Sequence, residues 1–187
     1  MEKKLIAQKI LQIVGGKPKV VEYKDEEKKS NIDIFIGGDT PFKGMNTYST
    51  IGLSDYSIGL LVEDKELRVE FIGSCESEYR EYANILSSCA FNIINTQFSC
   101  SPGTVNPDVV SEYYKETTMK HILFTAPFLW EDIETLEMSD YYVTWLMMVP
   151  ISNKEFDFLK MNGAEELEIL FEKNDINLFD LNRESVV

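Results

Sequence analysis

The sequence of 187 residues has one histidine, three cysteines and no uninterrupted run of about 18 apolar residues. We therefore expect no membrane-spanning helix. The amino-terminal stretch mixes lysines with apolar residues and lacks the continuous apolar block of a secretory signal, which favours a cytoplasmic location. Cys75, Cys89 and Cys100 form no CxxC pair, so we expect reduced thiols.

The single histidine, His121, restricts the chemistry that the chain can perform. A Ser–His–Asp or Cys–His device would have to use it, and no GxSxG motif accompanies it. A lone histidine beside a buried strand more often makes structural hydrogen bonds. The ligand spacings of zinc and calcium sites and the phosphate-binding glycine motifs are also missing. We expect no enzyme activity, no metal and no cofactor.

Negative charge dominates the composition, with 32 acids against 18 bases and a net charge of −14. Residues 1–30 hold eight lysines and five acids, whereas the remainder holds ten bases and 27 acids. A surface of this sign repels nucleic acid and anionic lipid and attracts basic proteins. The charge thus argues against nucleic acid and membrane partners. Alternatively, the acidity serves only solubility.

Hydrophobic periodicity predicts the secondary structure. Apolar residues at helical spacing predict an amino-terminal helix over about residues 2–15, ended by Gly15 and Gly16. Alternation in "LRVEFIG" predicts a strand whose Phe71 faces the core and whose Glu70 faces the other way. Further strands are predicted over residues 19–23, 32–36, 58–62, 121–130 and 141–150.

Three more helices are predicted after residue 78. Apolar residues from Tyr79 to Ile93 recur with helical spacing. Ser152 and Glu155 form a capping box that begins a helix ending at Asn162–Gly163, and a short helix surrounds Leu167. We therefore predict one α+β domain over residues 1–187: a mixed β-sheet with helices packed against it.

Hydroxyl groups crowd the stretch "NTYSTIGLSDY" at residues 46–56. One interpretation is a structural corner, in which a strand ends at Gly52 and Ser54 and Asp55 bond to nearby backbone amides. The alternatives are contact with a ligand or partner, or a hydrolase that activates Ser49 or Thr50 with an unusual carboxylate base. We favour the structural corner.

An acidic segment, "WEDIETLEMSD" at residues 130–140, contains no basic residue. Such a charge run is often a solvated loop. The alternative interpretation is a patch that steers a basic protein inward while Trp130 or a neighbouring aromatic anchors it. The partner-binding candidates are Trp130, Glu131, Asp132, Glu134, Glu137 and Asp140. A second cluster, Glu165, Glu166, Glu168 and Glu172, is interpreted as an exposed helix face.

Four separated blocks occur in an order that resembles the suppressor-of-fused-like domain family. They are "TYSTIGLSDY", "RVEFIG", "MKHILFTAPFLW" and "VPISNKEFDFLKMNGAEELEILFEKNDINLFDLNRESV", and the resemblance extends from about Lys17 to Val187. The animal members have two domains that clamp a transcription-factor peptide. This sequence has room for one such domain, so that ligand is not carried over.

The sequence is more similar to the bacterial branch of the family, which consists of single-domain antitoxins or immunity proteins. The resemblance implies that the chain binds and neutralises a cognate polymorphic toxin of the LXG type, with a basic nuclease domain as the expected partner. The alternative is a regulatory adaptor that binds a peptide segment of a protein, as the animal relative does. The oligomeric state is left open.

Overall fold

The computed structural model describes residues 2–16, 18–130 and 132–187. Its helices are α1 (Glu2–Val14), α2 (Tyr82–Thr96), α3 (Val109–Tyr113), α4 (Asn153–Asn162) and α5 (Ala164–Asn174), with a 3-10 turn at Leu53–Asp55. Its strands are β1 (Lys19–Lys24), β2 (Asn31–Gly38), β3 (Met45–Ile51), β4 (Leu60–Val62), β5 (Lys65–Glu76), β6 (Val105–Asn106), β7 (Met119–Thr125), β8 (Leu136–Glu137) and β9 (Tyr141–Ser152).

The strands of the described residues form one nine-stranded mixed sheet in the order β1-β2-β3-β5-β9-β7-β6. Strands β4 and β8 extend one end of the sheet, where β4 pairs with β5 and β8 pairs with β9. Strands β5 and β9 run parallel, with Glu66 opposite Tyr141 and Ile72 opposite Met147, whereas the other pairs are antiparallel. The predicted mixed sheet is confirmed.

Both faces of this sheet are covered, because alternate side chains of each strand enter two separate apolar clusters. On one face, Phe71 and Phe124 stack with ring centroids 4.6 Å apart, beneath Leu86 of α2. On the other face, Trp145 packs with Ile10 of α1 and with residues of α5. The molecule therefore has three layers, with helices on both sides of the central strands.

Most of the predicted elements are present, with small shifts at their ends. The amino-terminal helix ends at Val14, one residue before the prediction, and the long helix begins at Tyr82 rather than Tyr79. The capping box of Ser152 and Glu155 is confirmed. The strand predicted over residues 121–130 is too long, because β7 ends at Thr125 and a loop follows. Helix α3 and the two-residue strands β6 and β8 have no counterpart among the predicted elements.

A buried ion pair joins the carboxyl-terminal segment to helix α4. Arg183 donates from Nη1 to Oε1 of Glu155 at 2.6 Å and from Nη2 to Oε2 at 2.9 Å. Both side chains are almost completely buried, and Arg183 also donates to the backbone carbonyl of Pro150. The amide of Val186 donates to the same carboxylate. Such bidentate geometry holds the last residues firmly against the sheet.

No helix among the described residues is long and apolar enough to cross a membrane.

Candidate functional site

The acidic segment, residues 130–140, connects β7 to β9 along the surface. Its strand β8 lies beside the start of β9, with Leu136 opposite Val143 and Glu137 opposite Tyr142. The candidate residues Asp132, Glu134, Glu137 and Asp140 are all exposed. Glu131 lies outside the residues that the structure describes. The segment therefore presents several carboxylates to solvent at one end of the sheet.

Trp130 does not share that exposure. Only 7% of its surface is accessible, and the ring packs in the apolar cluster that contains Trp145 and Leu167. A ring in this position supports the segment from below, because burial leaves it little surface for an incoming partner. Among the aromatic residues near the acidic segment, Phe128 is the more accessible, at 54% exposure.

Lysines from other elements approach two of these carboxylates. Lys65 donates to Oε1 of Glu137 at 2.7 Å, and Lys9 lies 3.8 Å from Glu134. The hydrogen bond from Lys65 to Glu137, together with the charge of Asp140, raises the pKa of Lys65. Because Glu134 and Glu137 are mostly exposed, these pairs contribute little stability, but they lower the local negative charge.

The turn between β4 and β5 adds acids at the same end of the sheet. Glu63 and Asp64 form this turn and are exposed, and the hydroxyl of Tyr142 lies 3.5 Å from Glu63. Glu66 is opposite Tyr141, the residue that follows Asp140. We call this set the acidic end; it comprises Glu63, Asp64, Glu66, Glu137 and Asp140. Sequence periodicity could not predict this grouping, because it depends on the parallel pairing of β5 with β9.

Exposed apolar side chains accompany the acidic end. Leu61 of β4 is 69% exposed, and its neighbour Val62 is also exposed. Apolar residues beside carboxylates are the arrangement that a basic protein surface with an apolar centre would match. The acidic end thus combines carboxylates that attract a basic protein with the exposed apolar surface of Leu61 and Val62.

The hydroxyl-rich stretch at residues 46–56 is organised around a buried carboxylate, Glu70. Its Oε1 accepts hydrogen bonds from the Gly52 amide at 2.9 Å and from the amide and hydroxyl of Ser54 at 3.1 and 2.7 Å. Its Oε2 accepts from the Thr50 hydroxyl and the Leu53 amide. Burial raises the pKa of Glu70, and the hydrogen bonds partly offset that rise. Glu70 is fully buried. Its hydrogen bonds join the corner that follows β3 to strand β5.

This arrangement corrects two details of the structural interpretation. The strand does end before Gly52, whose φ of 98° requires the left-handed region that glycine tolerates. Ser54, however, bonds to Glu70 instead of a nearby amide, and Asp55 lies 3.7 Å from Lys3. Glu70 faces away from Phe71 as predicted, but that second face is covered by helices rather than solvent. The enclosure of Thr50 beside Glu70 also favours a structural role over the hydrolase alternative.

His121 is buried between two hydrogen-bonding partners. Its Nδ1 accepts from the amide of Asp108 at 2.8 Å, which leaves the proton on Nε2 for Oδ1 of Asn153, also at 2.8 Å. The ring packs against Phe156, with centroids 4.6 Å apart. These contacts match the structural role that the sequence indicated. Within the described residues, no group of three or more His, Cys, Asp or Glu side chains is arranged to hold a metal ion.

Solved structures place this architecture in a known class. A suppressor of fused homologue from Neisseria gonorrhoeae FA 1090 superimposes with a TM-score of 0.76 at 18% identity, covering 100% of this chain and 97% of that one. The Sufu–Fu complex gives a TM-score of 0.70 at 12% identity, with 99% and 92% coverage. Drosophila Suppressor of Fused gives 0.57 at 12% identity, with 90% of this chain but 42% of that one covered. The fold is that of suppressor of fused proteins.

Sequence comparisons extend this likeness from fold to family. Residues 28–184 match the family model of the suppressor of fused protein. The chain is also 50% identical over 187 residues to the Immunity protein YqcF of Bacillus subtilis (strain 168), covering 100% of this chain and 97% of that protein. The chain therefore belongs to the suppressor of fused family, as the four sequence blocks indicated.

Proposed function

We propose that this protein is an immunity protein that binds a toxin protein and neutralises it by occlusion. The observation that carries the proposal is the 50% identity, over the full length of the chain, to a protein named for immunity. The two chains are similar over their whole lengths, so the proposal applies to the complete domain and not to one segment of it. The acidic end offers a physical route to the binding.

The expected toxin is a nuclease, of the LXG type, with a basic domain. A nuclease must hold a polyanion, so its active cleft attracts negative charge. The present chain carries 27 acids against ten bases after residue 30, and the acidic end concentrates some of them beside exposed Leu61. Opposite charges accelerate association, and a contact that covers the cleft excludes the nucleic acid substrate without any covalent step.

Each part of the acidic end has a separate role in this proposal. Glu63, Asp64 and Asp140 have the most freedom to attract lysine and arginine. Glu137 is already hydrogen-bonded to Lys65. This bond must break before Glu137 pairs with a cation of the toxin, or the toxin must contact both side chains. Trp130 acts from below, because its buried ring fixes the position of the segment that carries Asp132 and Glu134.

The test of immunity is co-expression with the carboxyl-terminal domain of the protein encoded by the neighbouring open reading frame. Growth rescue and a stable one-to-one complex are expected. Failure of the purified proteins to associate at micromolar concentrations, together with no rescue, would refute the proposed function.

Charge reversal tests the acidic end within that complex. We expect Glu137→Lys/Asp140→Lys to slow association by about tenfold at low salt, with a smaller effect at high salt. The control is Glu112→Lys/Glu116→Lys, which makes the same charge change at exposed positions in or beside α3, on the α2 side of the sheet. Equal association rates for the two double variants would show that net charge, and not the acidic end, governs the encounter.

The peptide-binding adaptor has one observation in its favour. Strand β1 lies at the edge of the sheet, where Val20 and Val21 are exposed, and an extended peptide could pair with such an edge. The two functions differ in the form of their partner. An adaptor would bind an isolated unfolded segment as tightly as the intact domain, whereas an immunity protein would bind the folded domain more tightly than any isolated segment of it.

A further inference from the structure

An apolar groove of about 570 Å³ is lined in part by Phe128 and Leu129, the two residues that precede the acidic segment in sequence. One wall is the loop after β7, which carries Phe128 and Leu129; the other is α5 and the residues that follow it. This volume lies within the range of pockets that bind ligands and large side chains. The groove is lined by Thr125, Phe128, Leu129, Glu168, Phe171, Glu172, Asp175, Ile176, Leu178 and Phe179.

The apolar surface of the groove continues beyond it. Phe179 makes an edge-to-face contact with Phe42, with ring centroids 6.0 Å apart. Phe42 is 60% exposed and Phe128, which lines the groove together with Phe179, is 54% exposed. Clustered exposed aromatic side chains commonly mark a surface that another molecule covers.

Carboxylates follow one side of the groove. Glu168, Glu172 and Asp175 are spaced by four and three residues, which places them on one face of α5 and at its end. Burial raises the pKa of Glu168, and the charge of Glu165 adds to this rise. Among the described residues that line the groove, none is Lys or Arg. A cation that entered the groove would meet carboxylates on this side and no lysine or arginine in the described part of the lining.

Contacts within the protein hold the wall formed by α5 and the residues after it. Leu167 and Phe171 of α5 pack in the same apolar cluster as Trp130. The next segment is held by its backbone, because the amide of Glu76 donates to the carbonyl of Phe179 at 3.0 Å. A preformed pocket loses little conformational entropy on binding, which favours affinity.

We propose that this groove binds a protein segment in which a large apolar side chain is flanked by lysine or arginine. The inference rests on the proposed function, since it assigns that segment to the toxin. The apolar side chain would enter between Phe128 and Phe171, and the flanking cation would face Glu168 and Glu172. Phe128 thus takes the anchoring role that the sequence suggested for Trp130 or a neighbouring aromatic.

Charge argues for this occupant over the others. A second copy of the chain would bring a net charge of −14 toward a rim of carboxylates. Nucleic acid and anionic lipid would meet the same repulsion. A basic segment gains from both features of the groove, since its cation pairs at the rim while its apolar side chain leaves water.

Two variants and two matched controls test the groove. Phe128→Ser removes an exposed aromatic that lines it, whereas Ile169→Ser removes an apolar side chain of similar exposure, 50%, that does not. Glu168→Lys reverses a rim charge, whereas Glu166→Lys makes the same change two residues away, at an exposed position outside the groove lining. Circular dichroism verifies that all four proteins fold.

Binding is measured with two partners. The first is a fluorescein-labelled amphipathic peptide of lysine, leucine and tryptophan, followed by anisotropy, with a glutamate-for-lysine counterpart as the negative probe. The second is the toxin domain of the neighbouring gene. We expect Phe128→Ser and Glu168→Lys to weaken binding of both the lysine peptide and the toxin by about tenfold, and the controls to change it by less than about twofold.

The outcomes separate the groove from the proposed function. If the wild-type protein binds the toxin and both groove variants bind it equally well, the groove proposal is overturned and immunity stands. If the wild-type protein neither binds the toxin nor rescues growth, immunity fails and the peptide decides whether the groove takes a basic apolar segment. Equal peptide binding by groove variants and controls, or no peptide binding by the wild-type protein, overturns the groove proposal.

Discussion

Replacing Arg183 by methionine should strongly destabilise the protein. The guanidinium donates two hydrogen bonds to Glu155 and one each to the carbonyls of Pro150 and Glu184. Methionine fills part of the volume but leaves a completely buried carboxylate with only amide donors from Ser152 and Val186. Removing one partner of a buried ion pair costs about 3–5 kcal/mol, because the other charge remains desolvated.

Urea unfolding monitored by circular dichroism measures this cost. With a slope of about 2 kcal/mol per molar urea, the midpoint should fall by about 1.5–2.5 M. The control is Arg80→Met, since Arg80 is exposed and its replacement should change the free energy of unfolding by less than about 0.5 kcal/mol. Both variants lose one positive charge, so net charge cannot explain a difference between them.

A second substitution tests the reason for the loss. Glu155→Gln retains a side chain that can complete the capping box with Ser152 but removes the buried charge. We therefore expect Arg183→Met/Glu155→Gln to be more stable than Arg183→Met alone by about 1–2 kcal/mol. A double variant no more stable than Arg183→Met would refute the reasoning, because lost packing and not an unpaired charge would then account for the effect.

Two further predictions concern buried polar groups. Thr50→Val should lower the free energy of unfolding by about 2–3 kcal/mol, because the hydroxyl donates to Glu70 and accepts from the Phe71 amide. Ser49→Ala should lower it by less, since that hydroxyl donates to the carbonyl of the next residue. Equal losses of unfolding free energy in urea denaturation would contradict this prediction. Burial raises the pKa of the Cys89 thiol to about 12 and raises that of the other two cysteines, so Ellman's reagent at pH 8 should label thiols only after denaturant is added, and rapid labelling of the folded protein would be inconsistent with the structure.

Local patterns were sufficient to predict most of the elements. The capping box at Ser152 depends on residues three positions apart, and the periodicity of α2 repeats over fifteen residues. Both signals come from neighbouring residues, so sequence alone contains them. The mixed sheet with packed helices was predicted from the order of the helices and strands along the chain.

The contacts that organise the candidate surfaces depend on residues far apart in sequence. Alternation along the strand predicts only that Glu70 faces away from Phe71, whereas its hydrogen-bonding partners come from residues 50–54, about 20 positions earlier in the chain. Trp130 and Phe128 are two residues apart in one apolar run, yet in the loop after β7 the first is buried and the second is exposed. The pairing of Arg183 with Glu155 likewise requires the last residues to fold back across the sheet.

The parallel pairing at the middle of the sheet also constrains when the molecule becomes competent during synthesis. Strand β5 pairs with β9, which begins about 75 residues later in the chain, with Glu66 opposite Tyr141. Until β9 has been synthesised, Phe71 and Ile72 lack the residues that lie opposite them in that strand, Leu146 and Met147. A nascent chain interrupted before this point exposes apolar surface and is open to proteolysis, so the stable fold requires the strands of both halves of the chain.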